Sequence, residues 1–210
     1  MSLQRLKMKP TKTLPENYSL AWAVDMKKDT RLNWTLQIVG MFWFLIAGWL
    51  LWKIVTFLRP DYVPESQFSS SFLLLGTILL VILVTLILHE LVHGLFFWVF
   101  TGEKPQFGIG PGYAYAAAPD WYFPKGKYLV VGLSPLVVLT VFGLAVIPFV
   151  PAAWVGILFL AIAFNAGGAV GDLYVCIRIG IEASDVRIKD KGDGFEIYRQ
   201  GDIKIPISGK

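Results

Sequence analysis

The sequence predicts an all-α polytopic membrane protein with four transmembrane helices, a Gly/Pro-rich and partly β cytoplasmic loop, and a short C-terminal β-hairpin. Three observations predict this fold class. Hydrophobic residues make up 55% of the 210 residues and charged residues only 16%, which differs from ordinary soluble domains. Four apolar stretches are each long enough to cross a hydrocarbon core of about 30 Å. Glycine and proline cluster between the second and third stretches and exclude a continuous helix there.

The four apolar stretches divide the chain into three parts. We expect a cytoplasmic N-terminal arm at residues 1–33, a four-span membrane domain at 34–180 and a cytoplasmic tail at 181–210. The spans are predicted at residues 34–58, 72–100, 127–150 and 153–179. The single cysteine, Cys176, cannot form an intramolecular disulfide and is expected to be a packing residue.

Extended structure is predicted in two segments outside the spans. In the loop at residues 101–126, residues 107–110 and 113–116 resemble short strands between glycines and prolines. In the tail, residues 185–189 and 195–199 alternate apolar and polar side chains around a turn rich in glycine and aspartate. Such alternation around a turn is typical of a β-hairpin.

The second span carries the motif around which the chain is organised. The chain has two histidines, His89 and His93, and they lie four residues apart with Glu90 between them. In a helix, residues i and i+4 lie on one face, so both imidazoles can reach one metal ion while Glu90 lies beside them. Ionisable groups inside an apolar span are costly and therefore indicate function. This His-Glu-x-x-His pattern predicts a Zn²⁺ site, with Glu90 as the catalytic carboxylate.

A catalytic zinc site needs a third protein ligand and one open position. Asp172 is the carboxylate found in the apolar interior of another span. If the second and fourth spans start from the same face, Asp172 and His89 reach similar depths. Glycines 167, 168 and 171 are expected to allow close helix approach. We therefore predict His89, His93 and Asp172 as the metal ligands, the alternative for Asp172 being a structural polar residue.

Two further features of the spans are candidates for the site. Asn165 precedes Asp172 by two helical turns and lies on the same face. It either forms an interhelical hydrogen bond or contacts substrate, and we consider it a candidate substrate-binding residue. Pro135 follows Ser134 inside the third span at about the depth of His93, and the kink that it predicts either lines the site or is an ordinary packing kink.

Basic residues predict the orientation of the spans. Seven lie in the N-terminal arm, three in the loop up to Lys127 and seven from Arg178 onward, whereas the connectors on the other side carry only Arg59. Both termini are therefore expected in the cytoplasm of a multi-pass plasma-membrane protein. The net charge of +4 is explained by this topology, so no nucleic-acid partner is expected. The expected partners are the lipid bilayer and a membrane protein or peptide substrate.

Taken together, the histidine motif, Ser134-Pro135 and the stretch from Asn165 to Asp172 resemble a family of small bacterial membrane proteins described as putative zincin peptidases. That family is in turn similar to the site-2 protease intramembrane zinc metalloproteases. The resemblance implies zinc ligation by His89, His93 and Asp172 and catalysis by Glu90. One difference is that Asp172 is followed by Leu173, where site-2 proteases have glycine.

The sequence thus predicts an intramembrane zinc metalloprotease that hydrolyses membrane-embedded peptide bonds through a zinc-activated water, with Glu90 as general base. An extended substrate would pair with a strand of the loop by edge-strand addition. The alternative is a non-proteolytic zinc-binding membrane adaptor or regulator, against which the presence of Glu90 argues. A transporter is disfavoured because the chain has no visible internal repeat.

Overall fold

The computed structural model describes residues 9–26, 28–64, 70–110 and 113–201. Its helices are α1 (Thr30–Leu58), α2 (Ser71–Thr101), α3 (Lys125–Val146, continued by a 3₁₀ turn at Ile147–Phe149), α4 (Ala152–Gly168) and α5 (Val170–Gly180). Its strands are β1 (Tyr18–Asp25), β2 (Gln106–Gly110), β3 (Tyr113–Ala117), β4 (Tyr122–Pro124), β5 (Arg187–Asp190) and β6 (Gly194–Gln200). The chain is mostly helical. The predicted tail hairpin is present as the antiparallel pair β5–β6, and the two short strands predicted in the loop form a second antiparallel pair, β2–β3.

In the described part of the chain, α1, α2 and α3 with its 3₁₀ turn are each long and apolar enough to cross a membrane. Helices α4 and α5 meet at an angle of 42° and together make a fourth candidate, so the helices could span a membrane three or four times. Large apolar side chains such as Phe72, Leu79 and Leu80 are exposed along α2. Such a surface is compatible with lipid contact.

Helix α2 is one continuous helix of 31 residues whose ends are fixed by local capping. The Ser70 side chain accepts a hydrogen bond from the Leu73 amide at the start. At the other end Gly102 adopts the left-handed conformation, with φ of 73°, and its amide donates to the Trp98 carbonyl. Glycine meets this backbone conformation without steric cost, which ends the helix here.

The fourth predicted span is broken, which the sequence did not predict. Helix α4 ends at Gly168, and α5 begins after the single residue Ala169. The last carbonyls of a helix need outside partners, and the Trp43 indole of α1 donates to the Ala166 carbonyl at 2.8 Å. The expected close approach at glycines holds at Gly167, where an added Cβ would lie 2.7 Å from the Phe44 ring, whereas Gly168 and Gly171 face open space.

A four-stranded antiparallel sheet in the order β1-β6-β5-β4 joins the two ends of the described chain. Strand β1, which was not predicted, pairs with β6 and so connects the N-terminal arm to the tail. Apolar side chains of the sheet, including Phe195 and Ile197, share one core with Phe97 of α2 and Ile179 of α5. The sheet therefore packs against the C-terminal parts of α2 and α5, which follow the histidine motif and Asp172 respectively.

Glu182 links this sheet to α5 through ion pairs. Its buried carboxylate pairs with Arg178 of α5 and accepts hydrogen bonds from Arg199 of β6 at 2.8 and 2.9 Å. Burial disfavours the charged carboxylate, but the two guanidiniums more than offset this and hold the pKa of Glu182 below its usual range. The ion pairs thus fix the tail against the helix that carries Asp172.

The two hairpins also contact each other near the start of α3. The Tyr128 hydroxyl of α3 donates to the carboxylate of Asp190, which also accepts from the Gly192 amide at 2.7 Å. Gly192 has φ of 81°, and a Cβ there would lie 2.3 Å from the Tyr115 ring of β3. A side chain at position 192 would therefore be strained twice, by backbone conformation and by lack of space.

Candidate metal centre

Helix α2 places both histidines on its buried face. Because the helix is continuous through residues 89–93, the two rings lie one turn apart, with their centroids separated by 5.0 Å. Both residues are buried, each with 8% of its surface exposed. Glu90 is next in sequence to His89, is only partly exposed, and lies close to the backbone amide of Ala116 in β3. Helix α2 thus supplies two imidazoles and an adjacent carboxylate.

The third predicted ligand lies just after the break in the fourth span. Asp172 lies in the first turn of α5, immediately after the bend. One carboxylate oxygen is 2.9 Å from Nε2 of His89, and the other is 3.3 Å from Nε2 of His93. The candidate ligand atoms of these three residues all lie within 4.8 Å of one another. The structure therefore brings together the three residues predicted as ligands.

The other nitrogen of each histidine has a partner that fixes the ring. Nδ1 of His93 is 3.0 Å from the Val131 carbonyl oxygen of α3. Nδ1 of His89 is 3.0 Å from Oδ1 of Asn165 in α4. The Asn165 amide nitrogen in turn donates to the Pro135 carbonyl at 3.1 Å. Since that carbonyl can only accept, the amide orientation is set, and Oδ1 must face His89.

These contacts determine the tautomers of both rings. A carbonyl oxygen faces each Nδ1, so each Nδ1 must carry the hydrogen and donate it. In the neutral rings both Nε2 lone pairs then point at the carboxylate of Asp172, at 2.9 and 3.3 Å. Acceptors facing acceptors at this distance repel unless a cation or a proton lies between them. The arrangement is that of metal-ligating histidines, whose second nitrogen donates to an oxygen.

The donor set and its dimensions fit zinc. Two imidazole nitrogens and one carboxylate oxygen are ligands that zinc accepts, and three protein ligands leave a tetrahedral position open. Zinc bonds of about 2.0–2.1 Å in tetrahedral geometry place neighbouring ligand atoms about 3.3 Å apart. The nitrogen–oxygen separations of 2.9 and 3.3 Å, each to a different oxygen of Asp172, are close to that value, and all the candidate ligand atoms lie within 4.8 Å of one another. The cluster could therefore bind a metal ion with small adjustments of side chains.

The remaining sequence-predicted features also lie at the site. Asn165 is 2% exposed, and both ends of its side-chain amide are hydrogen-bonded to protein groups. The predicted interhelical hydrogen bond is therefore present, whereas the substrate contact stays a prediction. Pro135 is buried inside α3 and supplies the carbonyl that holds Asn165. The sequence did not predict that the Val131 carbonyl is the partner of His93. The one sequence signal for it is Pro135, four residues later.

Comparison with known proteins adds one finding. Residues 82–185 match the model of a family described as "Putative zincin peptidase". The matched segment begins within α2 and ends before β5, so it includes His89, Glu90, His93 and Asp172. No curated protein and no solved structure matches the chain. The family match supports a zinc metallopeptidase, in agreement with the donor set of the candidate centre.

Proposed function

We propose that this protein is an intramembrane zinc metallopeptidase of the site-2-protease kind, acting on membrane-embedded proteins or peptides. The observation that carries the proposal is the orientation of His89, His93 and Asp172. Their donor atoms converge, and an oxygen acceptor holds each imidazole in the tautomer that a metal requires. The group lies between helices that are long and apolar enough to cross a membrane.

When bound, zinc would supply Lewis-acid chemistry, lowering the pKa of water and polarising the scissile carbonyl. The remaining steps belong to the chain itself. The Glu90 carboxylate accepts the proton of the attacking water and later donates it to the leaving amine. Water enters the site beside Asp172, whose side chain is 26% exposed. The substrate must be locally unwound, because the peptide bonds of a membrane helix are shielded by their own hydrogen bonds.

Strand β3 is the proposed position for the unwound substrate. It pairs with β2 on one side, and its Ala116 backbone amide lies close to Glu90. An extended peptide that adds to this two-stranded sheet would run alongside the carboxylate that accepts the proton. Main-chain hydrogen bonds of this kind hold a substrate without requiring a particular sequence.

Both termini are proposed to lie in the cytoplasm, on the basic side of the chain.

The test compares cleavage by wild type and Glu90→Gln on a panel of single-span membrane peptides in detergent or liposomes. We expect Glu90→Gln to lower the cleavage rate by about 10²–10⁴-fold, because the general base is removed while the ligands remain. The matched control is Glu103→Gln, which makes the same substitution at an exposed carboxylate beyond the end of α2. Cleavage that persists in Glu90→Gln, or that fails equally in Glu103→Gln, would contradict the proposed role of Glu90.

A further inference from the structure

Pro135 lies inside α3, where it removes one backbone donor from the helix. In a regular α-helix the amide of residue 135 would donate to the carbonyl of residue 131. Proline has no amide hydrogen, so it leaves that carbonyl without its helical partner. In this protein the carbonyl concerned is that of Val131, at the level of His93 on the neighbouring helix.

The Val131 carbonyl has two other partners. It is 3.0 Å from Nδ1 of His93, and it accepts the Ser134 hydroxyl at 2.7 Å. A carbonyl oxygen has two lone pairs, so these two donors use its full capacity. The carbonyl is available to His93 because position 135 has no hydrogen to donate.

We propose that Pro135 is a positioning residue of the metal centre, which frees the Val131 carbonyl to hold His93 in its metal-binding tautomer. The backbone carbonyl of residue 135 also accepts the Asn165 amide that orients His89. That carbonyl does not depend on the proline ring, so the inference concerns His93. The inference rests on the metal site of the proposed function, but it does not depend on proteolysis.

Replacing Pro135 with alanine would restore an amide hydrogen at this position. That hydrogen would compete with His93 and Ser134 for the Val131 carbonyl. His93 would then lose the acceptor that fixes its tautomer. Removal of such an outer partner weakens metal affinity by about 10–100-fold.

The experiment measures zinc affinity of the purified full chain in detergent, by competition with a chromophoric chelator, together with the absorption spectrum of the Co²⁺-loaded protein. Three variants are compared with wild type. Pro135→Ala restores the amide hydrogen. Incorporation of the α-hydroxy analogue of alanine at position 135 makes an ester, which has neither ring nor amide hydrogen. Pro148→Ala is the matched control, because Pro148 lies in the 3₁₀ turn beyond α3.

We expect Pro135→Ala to bind zinc about 10–100-fold more weakly, with an altered Co²⁺ spectrum. The ester variant should recover most of the affinity, and Pro148→Ala should match wild type. Wild-type affinity in Pro135→Ala would overturn the inference while leaving the zinc site intact. An ester variant as weak as Pro135→Ala would also overturn it, because the ring rather than the missing hydrogen would then matter. Wild type that binds zinc but cleaves nothing would contradict the proposed peptidase alone.

Discussion

Replacement of Asn165 by alanine separates the two roles that the sequence allows for this residue. The side chain accepts from Nδ1 of His89 at 3.0 Å and donates to the Pro135 carbonyl at 3.1 Å. Its truncation removes both hydrogen bonds at once. We therefore expect the variant to bind the metal more weakly, because His89 is no longer held in the tautomer that presents Nε2.

The magnitude follows from the energy of the hydrogen bonds that the substitution removes. An outer partner of a metal-binding histidine is worth about 10–100-fold in affinity, or about 1.4–2.8 kcal/mol. The free energy of unfolding should also fall, because Asn165→Ala leaves the buried Nδ1 donor of His89 without its partner, at about 1–3 kcal/mol. This decrease in stability should appear in the metal-free protein as well.

The assay pairs zinc affinity, by chelator competition, with the rate of peptide cleavage at saturating zinc. The matched control is Thr140→Val, which removes a longer hydrogen bond of 3.4 Å to the same amide nitrogen and keeps the side-chain shape. We expect near-wild-type zinc affinity in this control. A variant Asn165→Ala with unchanged zinc affinity and a raised KM would refute the orienting role and favour the substrate contact.

Two further predictions concern the supports of the site. Trp43→Phe keeps an aromatic ring but removes the donor to the Ala166 carbonyl. We therefore expect the free energy of unfolding to fall by about 1 kcal/mol, measured as a lower thermal unfolding temperature. An unchanged unfolding temperature would show that this hydrogen bond does not stabilise the break. Burial raises the pKa of Asp190 to about 6, from 3.8. The Tyr128 hydroxyl and the Gly192 amide donate to this carboxylate, and His93 and Asp172 are the charged groups that act on it. The folded state therefore holds a proton that the unfolded state has released, and stability should fall as pH rises through roughly 4 to 6. Asp190→Asn should flatten that slope in pH-dependent unfolding, and an equally steep slope would contradict this account.

The local parts of the site were predictable from sequence because they depend on helical periodicity. His89 and His93 share a face wherever residues 71–101 form one helix, and the length and apolarity of that segment favour a helix. Asp172 was found by elimination and by depth, since a carboxylate inside an apolar span needs a partner. Both inferences use rules that act along one chain segment.

The parts that were missed depend on contacts between segments. The bend at Ala169 is supported by Trp43, which is more than 120 residues away in the chain. Strand β1 has no signal of its own that requires β6, and its pairing with the tail appears only in the fold. The Val131 carbonyl is invisible in a side-chain pattern, because backbone groups carry no sequence information. The sequence predicts a kink at Pro135, but it does not indicate that the Val131 carbonyl lies against His93 of α2.

The predicted membrane topology can be tested independently of the metal site. Both termini are predicted in the cytoplasm, and the connector that carries Arg59 on the other side. Cysteine accessibility at single positions in the connector and in the tail would test this, after replacement of Cys176. Labelling of the tail from outside intact cells would contradict the predicted orientation.

Metal content of the purified protein tests the central claim most directly. We expect about one zinc per chain in wild type and in Glu90→Gln, because Glu90 is adjacent to the ligands but is not assigned as one. Asp172→Ala should retain less than about a tenth of that zinc, because two histidines alone hold the ion weakly. Full zinc content in a folded Asp172→Ala variant, or none in folded wild type, would contradict the assignment of His89, His93 and Asp172 as the metal centre.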